Sequence, residues 1–182
     1  MVAPQGFLRA RCCGETILFQ VEGRAQMDLG LVLRRVGDTG LGRGAVALLV
    51  DLHQCEYMDS TFLGTLLFLK RAVERRRGGG FALVAPSLEC RQLLETMGLT
   101  EVFPICPLED LPAGDWKALG SEIDNYEAFH SNVVQAHFEL ASLPGRAGEP
   151  FKKIARILAQ EMEATDGKAS DAGRPCAQPP KP

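Results

Sequence analysis

Along the first hundred residues the spacing of apolar positions changes period several times, and each change marks an element. Gly6 to Cys12 and Thr16 to Glu22 are short stretches of strand formers separated by Cys13, Gly14 and Glu15, which predicts an opening hairpin. After Gly23 the period becomes helical. Leu29, Val32, Leu33 and Val36 recur at three- and four-residue spacing with Arg34 and Arg35 between them, a short amphipathic helix with Asp28 as its expected cap. Gly37 to Gly44 are expected to form a loop, and Ala45 to Asp51 is an apolar run of strand length, suited to burial on both faces. Ser60 to Arg77 carries a broad apolar surface, with Asp59 before it and Arg71, Arg75, Arg76 and Arg77 near its end. Anions at the start and cations at the end complement a helix dipole. Gly78 to Gly80 stop that helix, and Phe81 to Val84 returns to strand composition. Ser87 is placed to cap a helix whose core face is Cys90, Leu93, Leu94 and Met97, with Gly98 as its stop. Leu99 to Ile105 is expected as a last strand. Helices alternating with buried strands argue for an α/β fold with a mixed, largely parallel sheet of four or five strands and helices packed on it.

Beyond Pro107 the pattern becomes wholly helical. Ile123, Tyr126, Phe129, Val133, Val134, Ala136 and Leu140 form one amphipathic stripe, Pro144, Gly145 and Gly148 mark a turn, and Phe151, Ile154, Ala155, Leu158 and Met162 form a second stripe opened by Pro150. This C-terminal helical hairpin is expected to lay its apolar faces on the sheet domain, or on a second copy of itself in a homodimer. From Thr165 onward apolar side chains nearly vanish, which predicts a disordered tail. The chain therefore divides into a sheet domain over 1–112, a helical extension over 113–164 and a tail over 165–182.

Composition narrows the function. The 182 residues carry 20 Lys and Arg against 23 Asp and Glu, with 46% hydrophobic positions, the balance of one globular unit with an appendage. The cations are scattered apart from Arg75 to Arg77, so a nucleic-acid partner is not expected. The longest apolar runs fall far short of the roughly 20 residues that span a bilayer, and Arg9, Arg11 and Glu15 interrupt any leader-like core. Membrane insertion is not expected, and the chain is assigned to the cytoplasm. The six cysteines are spread thinly and lack the close spacing of a metal site, so free thiols are expected, with no metal and no cofactor.

The chemistry concentrates in Tyr57-Met58-Asp59-Ser60-Thr61-Phe62-Leu63-Gly64. A carboxylate, two hydroxyls and a helix start meet there at the end of a buried strand, where open α/β sheets place their working sites. The bland account is an N-cap: Asp59 or Ser60 accepting from the unpaired amides of the first turn. Other chemistry is weakly signalled. No G-x-S-x-G elbow is present, and Gly40 to Gly44 precedes a strand where a dinucleotide loop opens a helix. His130 and His137 lie two helical turns apart, too far for a chelating pair, and are expected to be ordinary, partly exposed side chains.

Taken in order, these segments resemble the STAS domain of bacterial anti-sigma factor antagonists. The likeness runs from about Gly6 to Ile105 and rests on Val50-Asp51, the Asp59-Ser60-Thr61 turn, Leu63-Gly64 after it, and Met97-Gly98-Leu99. The resemblance implies a STAS-like domain that is not an enzyme. It implies phosphorylation of Ser60, with Thr61 as a lesser second acceptor, by a partner anti-sigma factor protein kinase. It also implies partner binding through Asp59, Ser60, Thr61, Phe62, Leu63 and Gly64, and a phosphatase that resets the switch. A phosphate would add about -1.5 to -2 charges to an interface suited to a neutral hydroxyl. The chain departs from the family at two places: Phe62 stands where glycine is usual, and Gly23-Arg24-Ala25-Gln26 stands where the turn is usually acidic. The competing expectation is a constitutive STAS interaction module in a larger sensory or transporter-associated assembly, with Ser60 only a helix cap and Phe62 an apolar anchor.

Overall fold

The structure, a computed structural model, describes residues 6–108, 115–120 and 125–171, of which 162–171 as backbone only. β1 (Phe7–Cys13) and β2 (Thr16–Ala25) pair antiparallel around Gly14, which sits in the left-handed region at φ +59 that a tight hairpin turn requires. α1 (Met27–Gly42) then crosses over to β3 (Ala47–Met58), parallel to β2, and α2 (Ser60–Glu74) crosses to β4 (Gly80–Val84), parallel to β3. α3 (Leu88–Thr96) leads to a two-residue β5 (Ile105–Cys106), and β6 (Lys117–Leu119) adds to the free edge of β1. The sheet order is β5-β4-β3-β2-β1-β6, three parallel pairings followed by two antiparallel ones. α4 (Tyr126–Ala141), a single 3-10 turn (Gly145–Ala147) and α5 (Glu149–Asp171) form the C-terminal hairpin.

The α/β class and the largely parallel sheet agree with the sequence pattern, while several boundaries do not. α1 runs on through the expected loop to Gly42, because Gly37 and Gly40 are contact positions and not breakers. A Cβ on Gly37 would stand 2.7 Å from Leu69 Cδ2, and one on Gly40 would stand 1.8 Å from Ile17 Cδ1. Asp28 lies in the first turn of α1, and the N-cap is Gln26, whose side chain makes no capping bond. β2 and β3 extend to Ala25 and Met58, with register shifts at Gln20/Glu22 and Gly23/Arg24. The expected Gly23 to Gln26 turn is therefore mostly strand. Of the strand expected over Leu99 to Ile105, only Ile105 pairs; Leu99 and Phe103 instead plug the core from a turn. β6 makes the sheet six-stranded. α5 continues past Thr165 to Asp171, and residues 172–182, Ile123 and the 112/113 boundary lie outside the described residues.

One apolar cluster joins sheet and helices. Phe19, Val21, Leu48, Val50 and Leu52 from the strands meet Leu29 and Leu33 of α1 and Phe62, Leu63 and Leu66 of α2. Leu140, Leu143, Ala147 and Phe151 of the hairpin belong to the same cluster. The hairpin thus packs on the sheet domain, with α4 against α1 and α2 and α5 against α4. Among the described residues, no helix is long and apolar enough to cross a membrane.

Candidate functional site: the start of α2 and its cover

β3 delivers Asp59 to the beginning of α2. The Asp59 amide donates to the Ala25 carbonyl at 3.0 Å, tying the end of β3 to the end of β2. Asp59 is the N-cap of α2, its Oδ1 accepting from the Phe62 amide at 2.8 Å. Burial holds the Asp59 carboxyl above the ordinary carboxylate range, the neighbouring Asp28 adds to the rise, and the amides of Phe62, Met27 and Thr61 only partly offset it. A raised folded-state value means that this group's contribution to stability is complete below about 3.8 and is lost as pH climbs through the raised value. Asparagine caps as well as aspartate and carries no charge. Asp59→Asn is therefore expected to gain stability relative to the parent as pH rises from 4 to 7, read from urea midpoints at each pH. A constant difference across that range would show that Asp59 does not titrate there.

Ser60, the first residue of α2, is half-buried, and what covers it comes from far along the chain. Its Oγ lies 3.1 Å from Nε2 of His137, 77 positions away on α4. His137 Nδ1 lies 2.8 Å from the Val133 carbonyl oxygen. That oxygen only accepts, so Nδ1 donates to it, and in the neutral imidazole the Nε2 lone pair then accepts from the Ser60 hydroxyl. His137 is only 6% exposed, in contrast to the partly exposed histidine expected from sequence. Its signal was its place on the same helical stripe as Val133, Val134 and Ala136, but no spacing rule identifies the hydroxyl opposite it.

The other expected site residues are interior. Thr61 is buried, Phe62 is 0% exposed, and Leu63 and Gly64 are buried. Phe62 therefore stands in the core of the chain and not on its surface. A Cβ on Gly64 would meet the Ala136 carbonyl oxygen at 2.1 Å, so α2 and α4 touch backbone to backbone at this pair. One turn on, Thr65 donates to the Thr61 carbonyl at 2.8 Å and accepts from Asn132 Nδ2 at 3.2 Å, and Asn132 Oδ1 accepts from Arg34 of α1 at 3.3 Å. Near the end of α2, Arg71 donates to Glu139 and Ser142. Beside the site, the Arg24 guanidinium lies 4.1 Å from the centre of the Tyr57 ring, so the basic residue that replaces an acidic one is held by stacking.

A second polar group escaped the sequence pattern. Asp51, expected at the end of its strand, sits within β3 and is 1% exposed. It accepts from the His53 amide at 3.0 Å and from Gln20 at 3.3 Å, and pairs with His53 Nδ1 at 2.9 Å. Among the described residues no cysteine forms a disulfide, and no group of three or more potential ligands could hold a metal ion.

Three comparisons with known proteins bear on this arrangement. A family model described as "Mlab, STAS domain" matches residues 11–108, more than half of the chain and ending before α4. Among solved structures, the anti-sigma factor antagonist SpoIIAA in its unphosphorylated form is similar at 22% identity, over 57% of this chain and 90% of that one, with a TM-score of 0.50. An anti-sigma factor antagonist from Mycobacterium paratuberculosis is similar at 22% identity, over 58% of this chain and 90% of that one, with a TM-score of 0.51. These two likenesses concern the fold. No curated protein sequence matches the chain.

Proposed function

The chain belongs to the STAS domain family, as its Mlab-type match establishes, and on that premise we propose that it is a non-enzymatic, phosphorylation-controlled anti-sigma factor antagonist. With Ser60 unmodified it binds and sequesters an anti-sigma factor protein kinase; with Ser60 phosphorylated that binding weakens, and a phosphatase restores it. The observation that carries this reading is the placement of Ser60 at the first position of α2, directly after its capping Asp59. A phosphate there adds about -1.5 to -2 charges directly beside the capping carboxyl group. The solved structures of similar fold are described as anti-sigma factor antagonists, one of them as unphosphorylated.

The test is phosphopeptide mass spectrometry of the protein from its own cells, in growth and under stress, across Asp59 to Gly64. Phosphate on Ser60 whose occupancy changes with condition is the expected result. Full coverage of that peptide without phosphate in any condition overturns the switch.

A second reading draws on a different observation, the burial of Phe62 and Leu63 and the His137 bond to Ser60. In it the protein is a constitutive module of a sensory or transporter-associated assembly, and Ser60 only knits α2 to α4. Ser60→Ala then costs about 1 kcal/mol of stability and leaves the partner bound, whereas under the first reading a Ser60→Asp variant releases the partner. Pull-down of the native complex with and without phosphatase treatment separates the two.

A further inference from the structure

We infer that the first three turns of α4, Tyr126 to His137, are a detachable cover seated in cis on the Ser60 face of α2, latched by the Ser60–His137 bond and opened by a phosphate on Ser60. The inference rests on the reading of Ser60 as a switch only for the choice of trigger.

Three observations carry it. The first is where α4 is anchored. Leu140, Leu143, Ala147 and Phe151, at and beyond the end of α4, belong to the main apolar cluster, whereas no residue of α4 before Leu140 does, although Val134 and Ala136 are buried. The second is what holds the earlier part. Its buried contacts with the sheet domain include polar pairs: Asn132, 2% exposed, to Thr65 and Arg34, and His137 to Ser60. Polar pairs of this kind exchange for water at little net cost when a surface opens, which is why separable interfaces are more polar than permanent ones. The family match supports the same division, because it ends at residue 108 and leaves the cover outside the shared domain.

The third observation is the geometry of the latch. The 3.1 Å between Ser60 Oγ and His137 Nε2 is filled by one hydrogen bond, and a phosphoryl group on Oγ has no room in it. The helices cannot slide closer to make room either, because the α2 and α4 backbones already touch at Gly64 and Ala136, one turn from Ser60. The steric term pushes the cover away, while Leu140 to Phe151 keep it attached. In the closed state α4 occupies the face to which the family resemblance assigns partner binding, so the unmodified chain engages a partner there only by displacing α4, and the phosphorylated chain presents the face uncovered but bearing the charge that rejects the partner.

The experiment uses the full chain with phosphoserine installed at position 60, compared with the unmodified chain by hydrogen exchange. The expected result is exchange about tenfold or more faster in Tyr126 to His137, with protection of β2, β3 and β4 unchanged. Unchanged or slower exchange in that segment overturns the inference; the latter would mean that a protonated His137 grips the phosphate. Loss of protection throughout the sheet also overturns it, since α4 would then be part of an indivisible core. No kinase is involved, so absence of phosphate on Ser60 in cells would remove the proposed switch without touching this result. Conversely, an unmoved α4 would leave the switch intact and require its partner to bind elsewhere.

Discussion

Phe62→Ala is expected to destabilise the chain by about 3–5 kcal/mol, because it deletes an aromatic ring from a fully buried site and the surrounding helices cannot close the cavity. The ring belongs to the same cluster as Leu48, Val50 and Leu140, so strand, α2 and hairpin are all affected. Urea denaturation followed by far-UV circular dichroism gives the number. A loss under about 1 kcal/mol would mean that the ring is displaced from the core at little cost and is free to serve as a docking anchor. The result therefore decides between the two roles that an apolar residue beside Ser60 can play.

Gly64→Ala sets two effects against each other, and its sign is diagnostic. Helix propensity alone favours alanine inside α2 by about 1 kcal/mol. The new methyl group, however, would stand 2.1 Å from the Ala136 carbonyl oxygen and 2.6 Å from its Cα, atoms of a helix backbone that cannot rotate away. A net loss of about 2–3 kcal/mol is expected, the size of an overpacked core position, and exchange should increase in α4 more than in the sheet. A gain in stability would show that α4 does not lie against α2 in solution. Both substitutions are best compared at one pH, because the raised Asp59 carboxyl makes the start of α2 pH-sensitive on its own.

Neither expectation follows from periodicity. On a helical wheel Phe62 and Gly64 are one large and one small residue of the first two turns, and the sequence leaves open whether Phe62 faces the core or a partner. What decides is tertiary packing: Phe62 joins the main apolar cluster with the strands and α1, and Gly64 receives the Ala136 backbone of α4.

The α/β order, the capping of α2 by Asp59 and of α3 by Ser87, and the two C-terminal helices were all legible from local patterns. Each depends on interactions within a few residues: a side-chain oxygen meeting an amide three positions on, or apolar groups recurring at helical spacing. Local signals misled where a residue answered to a distant one. Gly37 and Gly40 resemble loop formers, yet they are small because Leu69 and Ile17 come close. Leu99 and Phe103 resemble strand residues, yet they fill the core from a turn. Three-residue β6 is too short to have a period at all, and it exists because β1 offers an unpaired edge.

The site divides in the same way. The sequence by itself determined the fold class and the helix start at Asp59, because these follow from near neighbours and backbone capping. Only the tertiary structure decided that Ser60 hydrogen-bonds to His137, that Asn132 bridges Thr65 and Arg34, and that Gly64 is an empty seat for Ala136. Those contacts join residues 67 to 98 positions apart, and a hydrogen bond across such a separation leaves no periodic trace in the chain. It is specified by the summed packing of α1, α2 and α4 on one sheet, which fixes the helix axes first and the polar partners as a consequence.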